Sequence, residues 1–97
     1  MTEKRPLAKP TVQIDNDRFI VTEWRFDPGA ETGWHRHAFD YIVVPQTTGN
    51  LLIENDNGTQ ISKLTSGLSY SRLKGVAHNV VNDNAAEFVF VEIELKE

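Results

Sequence analysis

Along residues 18–27 (RFIVTEWRFD) the side chains alternate: Ile20, Thr22, Trp24 and Phe26 fall on one face of an extended chain, and Phe19, Val21, Glu23 and Arg25 on the other. A strand sends successive side chains to opposite faces, so this period of two predicts a strand with one buried side. Pro28 and Gly29 end it, and Gly33 breaks the chain again before a short strand carrying His35 and His37, with Trp34 and Arg36 on its reverse face. Residues 11–15 form an earlier short strand closed by Asp15, Asn16 and Asp17, and residues 41–44 a buried one. Residues 49–54 and 59–64 flank Asn55, Asp56, Asn57 and Gly58, where the Asn57-Gly58 pair predicts a hairpin turn. Strands follow at 68–72, at 76–82 and, after a polar turn at Asp83 and Asn84, at 87–95 (EFVFVEIEL).

No window sustains a helical period with caps, so the pattern predicts an all-β sandwich or barrel. Residues 1–10 hold mixed charges, two prolines and little to bury, and are expected to form a mobile or loosely docked arm that packs on a partner subunit. Residues 11–97 then make a single domain. A domain of 97 residues buries only about two-thirds of its unfolded surface, so association stabilises it. Together with the surplus of aromatic residues this predicts a homodimer formed through edge strands or sheet faces.

Ten Lys and Arg stand against fourteen Asp and Glu, a net charge of −4 with no long basic run. That balance argues against electrostatic capture of nucleic acid or an anionic membrane, and leaves a small molecule as the expected partner. The absence of cysteine excludes disulfides and thiolate ligands, so any metal must be held by nitrogen and oxygen. The first ten residues lack the apolar core of a signal peptide and no stretch approaches the ~20 apolar residues of a membrane span, so a cytoplasmic location is expected.

Two residues apart on one strand, His35 and His37 point the same way and make half of a metal site. His78 is the third and last histidine of the chain. If the fold brings it beside the pair, a three-nitrogen site results, suited to a divalent ion such as Zn, Fe, Ni or Mn.

The spacing around these histidines resembles the cupin family. Its first motif is Gly, five residues, His-x-His, three or four residues and Glu, and Gly29, His35 and His37 stand in register with it. Its second is Gly, five residues, Pro-x-Gly, two residues, His, three residues and Asn; Gly67, Gly75, His78 and Asn82 fit, with Leu73 at the proline position. The stretch from Glu23 to Pro45 is also similar to short bacterial single-domain cupins, some of them labelled as β-alanine degradation proteins. The resemblance implies a small jelly-roll barrel with His35, His37 and His78 as metal ligands.

The family's glutamate position falls on Tyr41 or Ile42, so no carboxylate ligand is available there. Asp40 is adjacent, but a one-residue offset turns it to the opposite face, as a group at the rim or behind the ligands. Tyr41 is the candidate catalytic residue, a phenol able to donate a hydrogen bond or a proton. Arg72 alternates with Leu68 and Tyr70; if those face the interior, it is placed to clamp a substrate carboxylate, and otherwise it makes a rim or interface ion pair. Trp24, Phe26, Trp34, Phe88 and Phe90 are read as core or subunit contact, and Glu92 and Glu94 as the solvated face of the last strand.

Three neutral imidazoles leave the double charge of an ion unneutralised, which favours an anionic ligand. The expected function is a metal-dependent enzyme acting on a small organic anion, with lyase, isomerase, hydrolase and dioxygenase chemistry all open. The alternative is a non-catalytic cupin that binds a metal or small ligand as a sensor or accessory subunit.

Overall fold

The computed structural model describes residues 4–96, which form nine strands and no helix. One antiparallel sheet runs β1 (Lys9–Asp15), β2 (Phe19–Phe26), β9 (Phe88–Leu95), β4 (Asp40–Pro45) and β7 (Tyr70–Arg72). The second runs β3 (His35–Arg36), β8 (Ala77–Asn82), β5 (Gly49–Asn55) and β6 (Gly58–Leu64). Phe26, Tyr41, Val43, Phe88 and Phe90 of the first sheet meet Leu51, Leu64 and Val80 of the second in one apolar core. Each such side chain contributes about 1.5–3 kcal/mol on burial, so the core alone supplies the reason for the two sheets to pack. The all-β architecture read from the alternation is the one observed.

Three boundaries move. β1 opens at Lys9, two residues before the alternation predicts, and pairs Pro10 with Trp24. An edge strand tolerates proline because half of its backbone groups have no ladder partner. Residues 5–8 lie against their own chain: Ala8 N donates to Glu31 O, Glu31 N donates to Pro6 O, and Arg5 pairs with Glu31 and Glu54. The 49–64 hairpin is present, but its two-residue loop is Asp56-Asn57, with Asn55 opposite Gly58. Among the described residues none except glycine has positive φ, so the mirror-image turn that Asn-Gly favours is excluded, and Gly58 takes φ +119° as the first residue of the returning strand. β7 starts at Tyr70 and not at 68, because Gly67 N donates to Pro45 O and Leu68 N to Thr65 O in a turn that leaves Leu68 exposed.

Asn82, at the end of β8, organises the turn between the last two strands. Fully buried, its Nδ2 donates to the carbonyls of Phe26, Asp27 and Ala86, while its Oδ1 accepts from Asn84 N and Nδ2. Asn84 in turn pairs with both backbone groups of Asn50, and a Cβ on Gly49 would lie 2.6 Å from its Oδ1. Asn82→Ala strands these buried groups without partners and should cost roughly 3 kcal/mol, since each unmet group costs about 1–3 kcal/mol. A denaturant midpoint corresponding to a loss below about 1 kcal/mol would show that solvent or a rearranged turn replaces the asparagine.

Candidate metal centre

β3 lies beside β8 with His35 directly opposite His78. His37 follows two residues later, fixed by its own backbone: His37 N donates to Val76 O, and Gly75 N donates to His37 O. Gly75 holds φ +95°, a conformation that favours glycine, so the motif glycine is explained by the turn that braces His37. The three imidazoles converge. His35 Nε2 is 3.0 Å from His37 Nε2, which is 3.1 Å from His78 Nε2.

His35 Nδ1 lies 2.8 Å from the carbonyl of Gly33, which only accepts, so Nδ1 carries the proton and Nε2 presents a lone pair. His37 and His78 are pushed down to about 4, first by burial and then by the neighbouring His35, with His78 and Arg72 adding smaller effects. Both are therefore neutral at pH 7. Two nitrogens bound side by side to an ion at about 2.0–2.1 Å are roughly 3 Å apart, so the observed separations suit a shared cation. The donor set fits a divalent metal.

Behind His35 stands a polar network that the sequence reading did not single out. Asn79, buried on β8, accepts from Gly33 N through Oδ1 and donates through Nδ2 to Glu31 and Glu54 at 2.8 Å each. Arg5 closes it with a two-pronged pair to Glu54, which holds that carboxyl below the usual range and raises the guanidinium. Thr32 Oγ1 lies 3.3 Å from His35 Nδ1. The glycine carbonyl that sets the His35 tautomer is thus held in place from behind.

Tyr41 is buried on β4, its ring stacked on His37 with centroids 3.9 Å apart. Burial, reinforced by Glu92, raises its phenol well above the ordinary value, so it is protonated at neutral pH. Asp40 accepts from Lys74 N at 2.8 Å, which places it behind the loop that braces His37. Arg72, exposed on β7 opposite Tyr41, lies over the Tyr70 ring at 4.6 Å. It lines the mouth of the barrel, a space of about 160 Å³ bounded also by Tyr41, Gln60, Ser62, Tyr70 and His78.

Glu92 and Glu94 correct the sequence reading. They are not a solvated face: Glu92 is 8% exposed, and a carboxylate oxygen from each gathers with a His37 nitrogen, all within 4.8 Å of one another. On β9 they continue the inward row of Phe88 and Phe90, and the parity that places those rings in the core places the glutamates there too. Glu92 is pushed up to about 7, by burial first and by Glu94 second. It shares with Trp24, His35, Tyr41 and His78 an inner cavity of about 30 Å³, room for little more than a water. Trp24, Phe26, Phe88 and Phe90 pack in or against the core as expected, whereas Trp34 is exposed.

No family model matches the chain. The beta-alanine degradation protein BauB of Pseudomonas aeruginosa is 59% identical over 92 residues, covering 95% of this chain and 97% of its own. The crystal structure of a cupin domain from Bordetella pertussis Tohama I is 64% identical, with a TM-score of 0.97 over 99% of this chain and all of that one. This chain belongs to the cupins. A cupin superfamily protein from Desulfitobacterium hafniense shares the fold at 14% identity and a TM-score of 0.72, over 100% of this chain and 84% of its own. In this cupin, among the described residues, the carboxylates grouped with a histidine are those of Glu92 and Glu94 beside His37, and they come from the last strand.

Proposed function

We propose that this cupin is a metal-dependent enzyme acting on a small organic anion, with a divalent ion held by His35, His37 and His78. The observation that carries the reading is the convergence of three histidine ring nitrogens at 3.0 and 3.1 Å, with the His35 ring held from behind by the Gly33 carbonyl. The ion supplies Lewis acidity to a bound oxygen or carbonyl group. Substrate enters by the mouth, where the Arg72 guanidinium receives its carboxylate, and Tyr41 at the inner end of that space offers its hydroxyl proton. The relative named for β-alanine degradation makes β-alanine and the short carboxylic acids derived from it the first set to assay. Turnover measured with each candidate metal, under air and under nitrogen, tests the reading and separates oxygen-dependent from oxygen-independent chemistry. Absence of turnover in every combination would count against it.

The second reading, a non-catalytic cupin that holds an ion as a sensor or accessory subunit, is favoured by the inner cavity, which at about 30 Å³ admits no organic substrate beside Glu92. Carboxylates that bind the loaded protein without being consumed would select it.

The reading includes a homodimer. The outer side of the five-stranded sheet carries Phe19, Val21, Ile42, Val44, Ile93 and Leu95, all at least partly exposed, and β1 leaves an open edge beside it. Sedimentation at micromolar concentration should give a mass near twice that of the chain. A monomer there and above would contradict the dimer.

A further inference from the structure

Glu92 is a carboxylate buried without a counter-charge. Among the described residues it makes no ion pair, and the Trp24 indole N–H, which acts on it, completes no hydrogen bond of ordinary geometry. A carboxylate taken from water in this way is costly unless a cation or several donors meet it, and paired buried carboxylates are costlier still. Here the second carboxylate is Glu94, and the third member of the group is the ring nitrogen of His37. The backbone explains how they arrive: β9 lies beside β4, with Glu94 opposite Tyr41 and Glu92 opposite Val43. The neighbouring strand thus sets Glu94 level with Tyr41 and Glu92 one inward-facing position deeper in the barrel, opposite Val43.

Resting on the three-histidine reading above, we propose that Glu92 is the acidic member of the metal centre, facing the ion directly or through one bound water and neutralising half of its charge. Glu92 has a carboxylate oxygen within 4.8 Å of a His37 ring nitrogen and lines the same small cavity as His35 and His78, which puts it within reach of an ion at the histidines through one bound water or after a small movement. The inner cavity has space for that water beside Glu92 and the Trp24 side chain, whose buried N–H lacks an acceptor. Glu94 is only half-buried at the same end of the strand, which makes Glu92 the group with the stronger need for a cation.

The test compares the wild-type chain with Glu92→Gln, an isosteric change that removes only the charge, using Co(II) as the probe. Calorimetric titration gives affinity and stoichiometry, the visible spectrum reports the coordination sphere, and melting of the metal-free proteins reports the fold. The proposal expects Glu92→Gln to bind Co(II) 10- to 100-fold more weakly with an altered spectrum, the range seen when groups that tune a metal site are removed. It also expects the metal-free variant, compared at pH 8 where Glu92 is ionised, to melt higher than metal-free wild type by roughly 4 °C or more, because an uncompensated buried charge is gone. A purely structural carboxylate moves the melting temperature down and leaves the Co(II) spectrum alone. Affinity within twofold of wild type and an unchanged spectrum overturn the role of Glu92 while leaving the histidine site intact, as does a lower melting temperature in the metal-free variant. Wild-type protein that binds no Co(II) overturns the three-histidine reading and this inference together.

Discussion

Replacing His35, His37 and His78 together by alanine should remove stoichiometric metal binding and leave a β-rich fold, as read by elemental analysis and circular dichroism. The expectation follows from where the two sets of residues sit. The core that holds the sheets is built from Phe26, Val43, Leu51, Leu64, Val80, Phe88 and Phe90, none of which is a ligand. The imidazoles lie against it, with their Nε2 atoms turned towards one another and not into the apolar core. Each single replacement should also abolish stoichiometric binding, since two neutral imidazoles hold a divalent ion far less tightly than three. A triple variant that keeps one tightly bound ion per chain would mean that the ion sits elsewhere.

The same residues set the pH response of the metal-free chain. His37 and His78, lowered to about 4 from an ordinary 6.5, take up protons in the unfolded state first, so stability falls as pH drops from about 6.5 towards 4. Glu92 acts in the other direction: raised to about 7 from 4.5, it holds its proton longer in the folded state, so stability falls as pH rises from about 4.5 through 7. Each full proton is worth at most about 1.4 kcal/mol per pH unit, and below 6.5 two histidines outweigh one glutamate. Metal-free protein should therefore melt highest near pH 6.5. The triple-alanine variant should lose the acid-side decline, and melting curves from pH 4 to 8 would show it; an unchanged acid limb would assign that decline to other groups.

Tyr41→Phe should keep the metal and lose most turnover, by roughly a hundredfold or more, the range of a general acid or base. Phenylalanine preserves the ring that stacks on His37 at 3.9 Å and removes only the hydroxyl. Because burial raises the phenol well above its ordinary value, it acts as a neutral donor and not as a phenolate ligand, so metal affinity should be unchanged. Weaker binding in Tyr41→Phe, with loss of a tyrosinate charge-transfer band in a ferric protein, would make it a ligand instead. Unchanged turnover would reduce Tyr41 to a ring that holds His37 in place.

The strand set and the three-histidine cluster were legible because each rests on local information. Alternation over residues 18–27 marks a strand by itself, and two motifs with fixed spacings place all three histidines at matching positions. The parts missed are those that depend on partners distant in sequence. Arg5 and Glu54 are 49 residues apart, and nothing local says that Asn79 joins them to the loop of His35. Leu68 was assigned to a strand because alternation cannot show that Gly67 is already bonded to Pro45 in a turn. Glu92 is a different case. Its inward row is visible from Phe88 and Phe90, but a carboxylate is so seldom buried unpaired that composition argues for solvent; a proton held up to about pH 7, or a bound cation, reconciles the two.

The most direct measurement is the metal content of wild-type protein purified without an affinity tag and dialysed against Zn, Fe, Ni and Mn in turn. Close to one tightly held divalent ion per chain is the expected result for at least one of these metals, with none in the triple-alanine variant under the same treatment. A wild-type chain that emerges metal-free from every dialysis, or one whose ion survives the loss of all three histidines, would contradict the account.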